Sequence, residues 1–266
     1  MSRKRKEEGF FGLSQKQIAF LEKKMESLLP TEDKEGRKAF GGVFDGLTLQ
    51  TIFKLFHTPY LEDFEFPIAT GKEADVFCGR TKDGKLLAVK IFRINTSSFK
   101  NMLPYIEGDR RFSHLKKGAK NISRLWAKKE FKNLHRLHQA GVSVPEPIYL
   151  RDNIILMEYI GDEVTFSPDL KSVDLEPDQY KRIFENFKTY LYLMYNKAEL
   201  VHADLSEYNI LFWKDKIYII DVGQAVLKSH PNAQEFLKRD IKNMVRFFTK
   251  KGVDAEEKEL WNYIHE

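Results

Sequence analysis

The segment VHADLSEYNILFWKDKIYIIDVG, residues 201–223, constrains this chain more than any other. Two apolar runs, from Asn209 and up to Asp221, flank a turn at Lys214 to Lys216, which predicts a β-hairpin. A hairpin folds the chain back on itself, so Asn209 and Asp221 fall at the same end of the ladder. Asp204 lies in the turn that leads in. Two hard oxygen ligands on rigid strands suit a Mg²⁺ ion bound to phosphates. Asp204 can then face the group that attacks the phosphate. A lone D-x-x-x-x-N is common, and an aspartate at a strand end often only caps a turn. The joined pattern of Asp, gap, Asn, apolar hairpin and Asp-x-Gly is much rarer.

Upstream, LLAVKIF alternates, with Ala88 and Lys90 on one face and Leu87, Val89 and Ile91 on the other. A small side chain beside a lysine leaves room for a flat base, with an ammonium near its phosphates. A strand lysine taken alone more often faces solvent. Glu130 shifts that balance, because Ala127, Glu130, Leu134 and Leu137 follow helical 3-4-3 spacing. Carboxylates are rarely buried without a cation, since desolvation is costly. Lys90 is the natural partner; the other reading leaves Glu130 at the stripe's edge, in water. ATGKEADV reads as strand, tight turn at Gly71, strand, with Gly71 permitting close backbone approach and Lys72 adding charge. It does not match G-x-x-x-x-G-K-[ST], so a Walker-type site is unsupported.

The first sixty residues read as a helical extension. Ser14 and Gln17 form a capping-box pair, and Ile18, Leu21, Met25 and Leu28 mark one face before Pro30. No convincing hairpin precedes Pro67. From Arg93 to about Asn121 no periodicity is clean. Helices are expected from about Ser123 to Gln139, from Pro177 with Ile183, Phe187, Leu191 and Met194 inward, from about Ala233 to Lys250, and from Ala255 onward. IILMEYIG reads as a buried strand running into a connector. Strands dominate the first half and helices the second, which argues for two unequal lobes.

At 266 residues and 42% hydrophobic content, the chain can build a large core. No apolar run is long enough to span a bilayer, and MSRKRKEEGFFGL lacks the apolar stretch of a secretory signal. Cys78 is the only cysteine, so no internal disulfide is available. A soluble, intracellular protein is expected. Net charge is +5, yet Arg110 to Lys132 alone holds nine basic residues against Glu130. Arg3, Lys4, Arg5 and Lys6 form a second cluster. Such stretches are either solvated faces or contacts for a polyanion such as RNA.

Lys90, Glu130, the Asp204/Asn209 pair and Asp221-Val222-Gly223 occur in the order of a protein kinase. The nucleotide loop, however, has one glycine where ordinary kinases have three. The 45 residues after Asp221 hold no activation loop or A-P-E segment. With TGKEADVF, AGVSVPEPI, LVHADLSEYNIL and IIDVGQAV, these departures resemble the RIO family of atypical serine/threonine kinases, in its compact, archaeal-like type-one branch. The resemblance runs from about Asp45 to Gly252.

It implies an α+β, two-lobed protein-kinase-like fold: an N-terminal helical extension (1–60), a strand-rich N-lobe with a flexible loop at 93–121 (61–160), and a reduced helical C-lobe (161–266). The type-two branch would add a winged helix, which is not seen. By the resemblance Asp204 is the catalytic aspartate, and Asn209 and Asp221 hold Mg²⁺, with Mn²⁺ as a substitute. Asp221 also accepts the γ-phosphate of ATP as an acyl-phosphate, chemistry familiar from carboxylate nucleophiles. Lys90 contacts phosphates and Glu130 pairs with it. Gly71, Lys72, Glu73, Ala74 and Val76 cover the nucleotide. Ala88, Met157 and the backbone of Glu158 and Ile160 meet the adenine. Ser97 or Ser98 is autophosphorylated. The implied partner is a small ribosomal subunit precursor, touched through 110–132 and 3–6, in the cytoplasm. A small-molecule kinase of the aminoglycoside or choline type, or a nucleotide-binding scaffold without turnover, remains as an alternative.

Overall fold

A computed structural model describes residues 12–25, 44–94, 104–106, 108–111 and 119–266. They divide into two compact units, drawn from residues within 1–96, 118–127 and 148–159, and within 97–117, 128–147 and 160–266.

In the first unit, α1 (Gln15–Lys24) begins at Ser14, and Ser14 and Gln17 exchange the expected capping bonds. Leu21 and Met25 are buried as the periodicity requires; Leu28 and Pro30 lie outside the described residues. A second helix, α2 (Gly46–Leu55), falls within the expected extension but carries its own cap. Asp45 accepts hydrogen bonds from the Leu47 and Thr48 amides at 2.9 and 3.1 Å. Ten-residue helices are marginal alone. Here Ile52, Leu55 and Leu61 are fully buried, each worth about 1.5–3 kcal/mol.

They pack on a five-stranded sheet built from β1 (Asp63–Thr70), β2 (Ala74–Arg80), β3 (Leu86–Phe92), β4 (Pro147–Arg151) and β5 (Ile154–Glu158), in the order β1-β2-β3-β5-β4. The first strand starts ahead of Pro67, earlier than expected. Pro67 is tolerated because β1 lies at the sheet edge and is irregular on both sides of it. Leu87, Val89, Ile91, Ile154 and Leu156 join Leu21, Ile52 and Leu55 in one core. The other sheet face carries Val76, Lys90 and Ile155 in one row, and Cys78, Ala88 and Met157 in the next.

The second unit holds the later turns of α3 (Ala119–Gln139), which starts about one turn before Ser123. It also holds α4 (Pro177–Asn196), with Ile183, Phe187, Leu191 and Met194 buried as expected. The two-residue strands β6 (Leu200–Val201) and β9 (Val226–Leu227) pair with each other and bracket the hairpin β7 (Ile210–Trp213) and β8 (Lys216–Ile219). Lys214 and Asp215 turn the hairpin with φ of 49° and 61°, the left-handed pair that matches strand twist. Helices α5 (Ala233–Lys250) and α6 (Glu257–His265) follow, and Phe184 meets Phe248 edge-on at 5.0 Å. No helix among the described residues is long and apolar enough to cross a membrane.

Candidate active site

The hairpin does what its spacing predicts. Ile210 pairs with Ile219, and the Ile220 amide donates to the Asn209 carbonyl at 3.0 Å, so Asn209 and Asp221 share one end of the ladder. The Asn209 amide nitrogen donates to the Asp204 main-chain carbonyl at 2.8 Å, and Gln224 Nε2 donates to the Asp204 carboxylate at 3.1 Å. Burial pushes the Asp204 carboxyl above its ordinary value, and the nearby Asp221 charge pushes it further. Arg239 and the Asn209 amide oppose that rise. Asp221 is exposed and sits at φ 56°. Its carboxylate and the Asn209 side-chain oxygen are hard donors that fit a Mg²⁺ ion carrying phosphate oxygens. Among the described residues, no group of three His, Cys, Asp or Glu could hold a metal unaided.

The lead-in turn is held by residues that the sequence reading did not single out. Ala203 has φ 67°, uncommon for a residue with a Cβ. Asp240, on α5, fixes it by accepting from the Ala203 amide at 2.8 Å and the Leu205 amide at 3.0 Å. Burial drives the Asp240 carboxyl up to about 7, while the two amides hold it down. Arg239 donates to the Ala203 carbonyl. His202 Nε2 lies 3.0 Å from the Ile220 carbonyl, so that nitrogen carries the proton. The residue ahead of the 203–204 turn is thereby tied to the residue ahead of Asp221.

A second clamp grips the Asp221 loop from α3. Lys129 is fully buried and donates to the carbonyls of Gly223 and Ala225 at 2.7 and 2.6 Å. Asn133 donates to Val222 and Ala225 at 2.8 and 3.1 Å. Burial lowers the Lys129 amine to about 7, with Arg111 adding to the fall. Arg111 grips the buried Asp109 at 2.7 Å and reaches Asn133 Oδ1 at 2.8 Å. This corrects the reading of 110–132 as one solvated or RNA-facing stretch, since Lys129 is inside and Arg111 is engaged. A signal was present: Trp126, Lys129, Asn133 and Leu137 follow helical 3-4-4 spacing, next to the 3-4-3 stripe that flagged Glu130. Asp240 likewise interrupts the stripe Phe236, Leu237, Ile241, Met244.

Glu130 is 1% exposed, which overturns the reading that let it reach water. Lys90 is 8% exposed on β3, with its ammonium 5.2 Å from the Phe92 ring centre. In the same unit Ala88 stands opposite Met157, and Val76 opposite Lys90, so four of the expected nucleotide residues share one sheet face. The 71–73 turn joins β1 to β2, and the Gly71 amide donates to the Ala74 carbonyl at 3.0 Å. A Cβ at Gly71 would come within 3.0 Å of that same oxygen, so glycine fits this tight turn. Lys72 is exposed, and the Glu73 carbonyl accepts from the Arg93 amide. Asp75, not foreseen, is buried and grips Arg93 through two bonds of 2.7 and 2.8 Å. Glu158 ends β5 and is exposed. In the second unit, the Ile160 carbonyl accepts from the Ser167 amide at 2.9 Å. Ser97, Ser98 and the 3–6 cluster lie outside the described residues.

A family profile described as the RIO domain matches residues 75–260. The RIO-type serine/threonine-protein kinase Rio1 of Haloferax volcanii is 40% identical over 233 residues, covering 88% of this chain and 79% of that protein. Its namesake in Methanocaldococcus jannaschii is 38% identical over 231 residues, covering 86% and 78%. Human serine/threonine-protein kinase RIO1 is 36% identical over 236 residues, 88% of this chain but only 42% of the human protein. Among solved structures, the Rio2 kinase of Chaetomium thermophilum superposes with a TM-score of 0.64 at 22% identity, covering 95% of this chain and 86% of that one. The ADP/Mg²⁺-phosphoaspartate complex of the same Rio2 kinase gives 0.61 at 24%, covering 94% and 75%. These likenesses show the α+β, protein-kinase-like fold. With the profile match and the archaeal relatives, they establish that the chain belongs to the RIO family of atypical serine/threonine protein kinases, in its type-one branch.

Proposed function

We propose that the chain transfers the γ-phosphoryl group of ATP to serine or threonine hydroxyls and also hydrolyses ATP through a phosphorylated Asp221. The observation that carries this reading is the convergence of Asp204, Asn209 and Asp221 on one turn and its hairpin. Asp204, with a carboxyl raised by burial and by Asp221, orients the attacking hydroxyl and takes its proton. Asn209 and Asp221 supply the oxygens for Mg²⁺ or Mn²⁺, which when bound neutralises charge on the phosphates. Lys90 steadies the phosphates and Glu130 orients Lys90. Gly71, Lys72, Glu73, Ala74 and Val76 cover the nucleotide, and Ala88, Met157, Glu158 and Ile160 receive its base.

An aspartyl-phosphate is supported by the exposure of Asp221 and by the described state of the Chaetomium Rio2 complex. In that step the Asp221 carboxylate oxygen bonds to the γ-phosphorus, the bond to the β-bridging oxygen breaks, and ADP leaves. Water then releases phosphate and restores the carboxylate. The biological setting we infer is maturation of the small ribosomal subunit in the cytoplasm. Exposed basic residues of 110–132, such as Lys128 and Lys132, and the 3–6 cluster would touch rRNA.

The test is incubation with γ-labelled ATP and Mg²⁺, followed by hydroxylamine. Label released by hydroxylamine marks an acyl-phosphate, and label that resists it marks phosphoserine or phosphothreonine. Absence of both, and of ADP formation, overturns the reading.

A further inference from the structure

Helices α5 and α6 of the second unit border an open groove of about 650 Å³ that the proposed chemistry does not use. Its walls carry Lys238, Arg239, Lys242 and Lys258 against one carboxylate, Glu257. Lys238, Lys242 and Lys258 are exposed, and none has an ion-pair partner among the described residues. Like charges this close repel, so the groove favours an anionic occupant. One of its walls reaches the candidate catalytic turn: Arg239 lines the groove, donates to the Ala203 carbonyl and lowers the carboxyl of neighbouring Asp204. Among the described residues, Arg239 is thereby the one groove residue that also touches the turn carrying Asp204.

One feature favours a polypeptide over a nucleic acid. The aromatic ring in the groove, Trp261, is already engaged, with His265 stacked on it at 4.5 Å and the Lys238 ammonium 5.5 Å from its centre. It is a poor platform for a base, which single-strand binders require.

We propose that this groove docks an acidic stretch of the polypeptide that accepts phosphate. Carboxylates flanking the acceptor serine or threonine would meet Lys242 and Lys258 while the hydroxyl reaches Asp204. The proposal rests on the phosphotransferase reading above, so its test separates binding from turnover. Fluorescence anisotropy without nucleotide compares a labelled serine peptide flanked by glutamates with its glutamine counterpart. The glutamate peptide is expected to bind at least about tenfold more tightly, and to weaken with added salt. The double variant Lys242→Glu/Lys258→Glu should erase that preference, and Lys242→Gln/Lys258→Gln should reduce it with a smaller change of charge. In steady-state assays the reversal should raise KM for the glutamate peptide about tenfold, with kcat and peptide-independent ATP hydrolysis held within about twofold.

Equal binding of the two peptides, or a preference that survives charge reversal, overturns the proposal. So does a reversal that abolishes binding of a single-stranded oligoribonucleotide but spares the peptide, because the groove is then a nucleic-acid site. Selective peptide binding by a wild-type protein that transfers no phosphate upholds the groove and counts against the catalytic reading alone.

Discussion

Asn209 Nδ2 is committed to the main-chain carbonyl of Asp204 at 2.8 Å, so the side-chain oxygen of Asn209 is the end left for a cation. One amide thus fixes the turn and presents a ligand. Asn209→Ala is expected to raise the Mg²⁺ concentration for half-maximal rate by about tenfold. Metal-free nucleotide binding should change little. A metal titration of ATP turnover decides it, and an unchanged midpoint removes Asn209 from the ligand set.

Loss of a general base typically costs 10²–10⁴ in rate, so Asp204→Ala should slow phosphoryl transfer by about that factor. Nucleotide affinity, followed by calorimetry, should survive. Transfer at the wild-type rate would show that Asp204 does not act on the hydroxyl.

Asp221→Asn should abolish hydroxylamine-sensitive label, because an amide cannot form the mixed anhydride. It should also lower the Asp204 carboxyl, since the Asp221 charge is one cause of its elevation. Carboxyl ¹³C titration would read this as an acid limb moved to lower pH. A shift upward, or none, contradicts the assigned coupling.

The two deeply buried ionisable groups push stability in opposite senses. Asp240 is raised from 3.8 to about 7, so the native state keeps a proton that the unfolded chain sheds, and its stabilisation is lost as pH rises towards 7. Lys129 is lowered from 10.5 to about 7, so its stabilisation is present at high pH and lost as pH falls through 7. Their joint contribution is least near neutrality. Lys129→Met should flatten the alkaline limb in urea melts, and Asp240→Asn the acid limb. Lys129→Met also strips a donor from the Gly223 and Ala225 carbonyls, about 1–3 kcal/mol.

The hairpin and its three polar residues were legible because their chemistry is local: spacing and alternation fix which end of a ladder Asn209 and Asp221 share. Helix α4 was legible for the same reason, through Pro177 and a regular stripe. The supports were not. Asp240 lies far along the chain from Ala203, and nothing in HADLS announces that its alanine takes a left-handed conformation. Lys129 was read as part of a basic run, because charge suggested solvent before helical spacing was weighed, and Asn133 was not singled out. The role of Asp45 as a helix cap was also missed, since its partners make sense only once α2 is folded.

Asp221 stands at φ 56°, where a glycine would rest more easily by about 1 kcal/mol. Anyone tuning this chain for heat resistance by backbone preference alone would be drawn to Asp221→Gly and would gain a degree or two of melting point, on the order expected for so small a change. On the role proposed for Asp221, the product would be inert. If Asp221 carries the proposed chemistry, backbone preference and turnover point to different amino acids at this one position, so melting temperature is a misleading guide for selecting variants there.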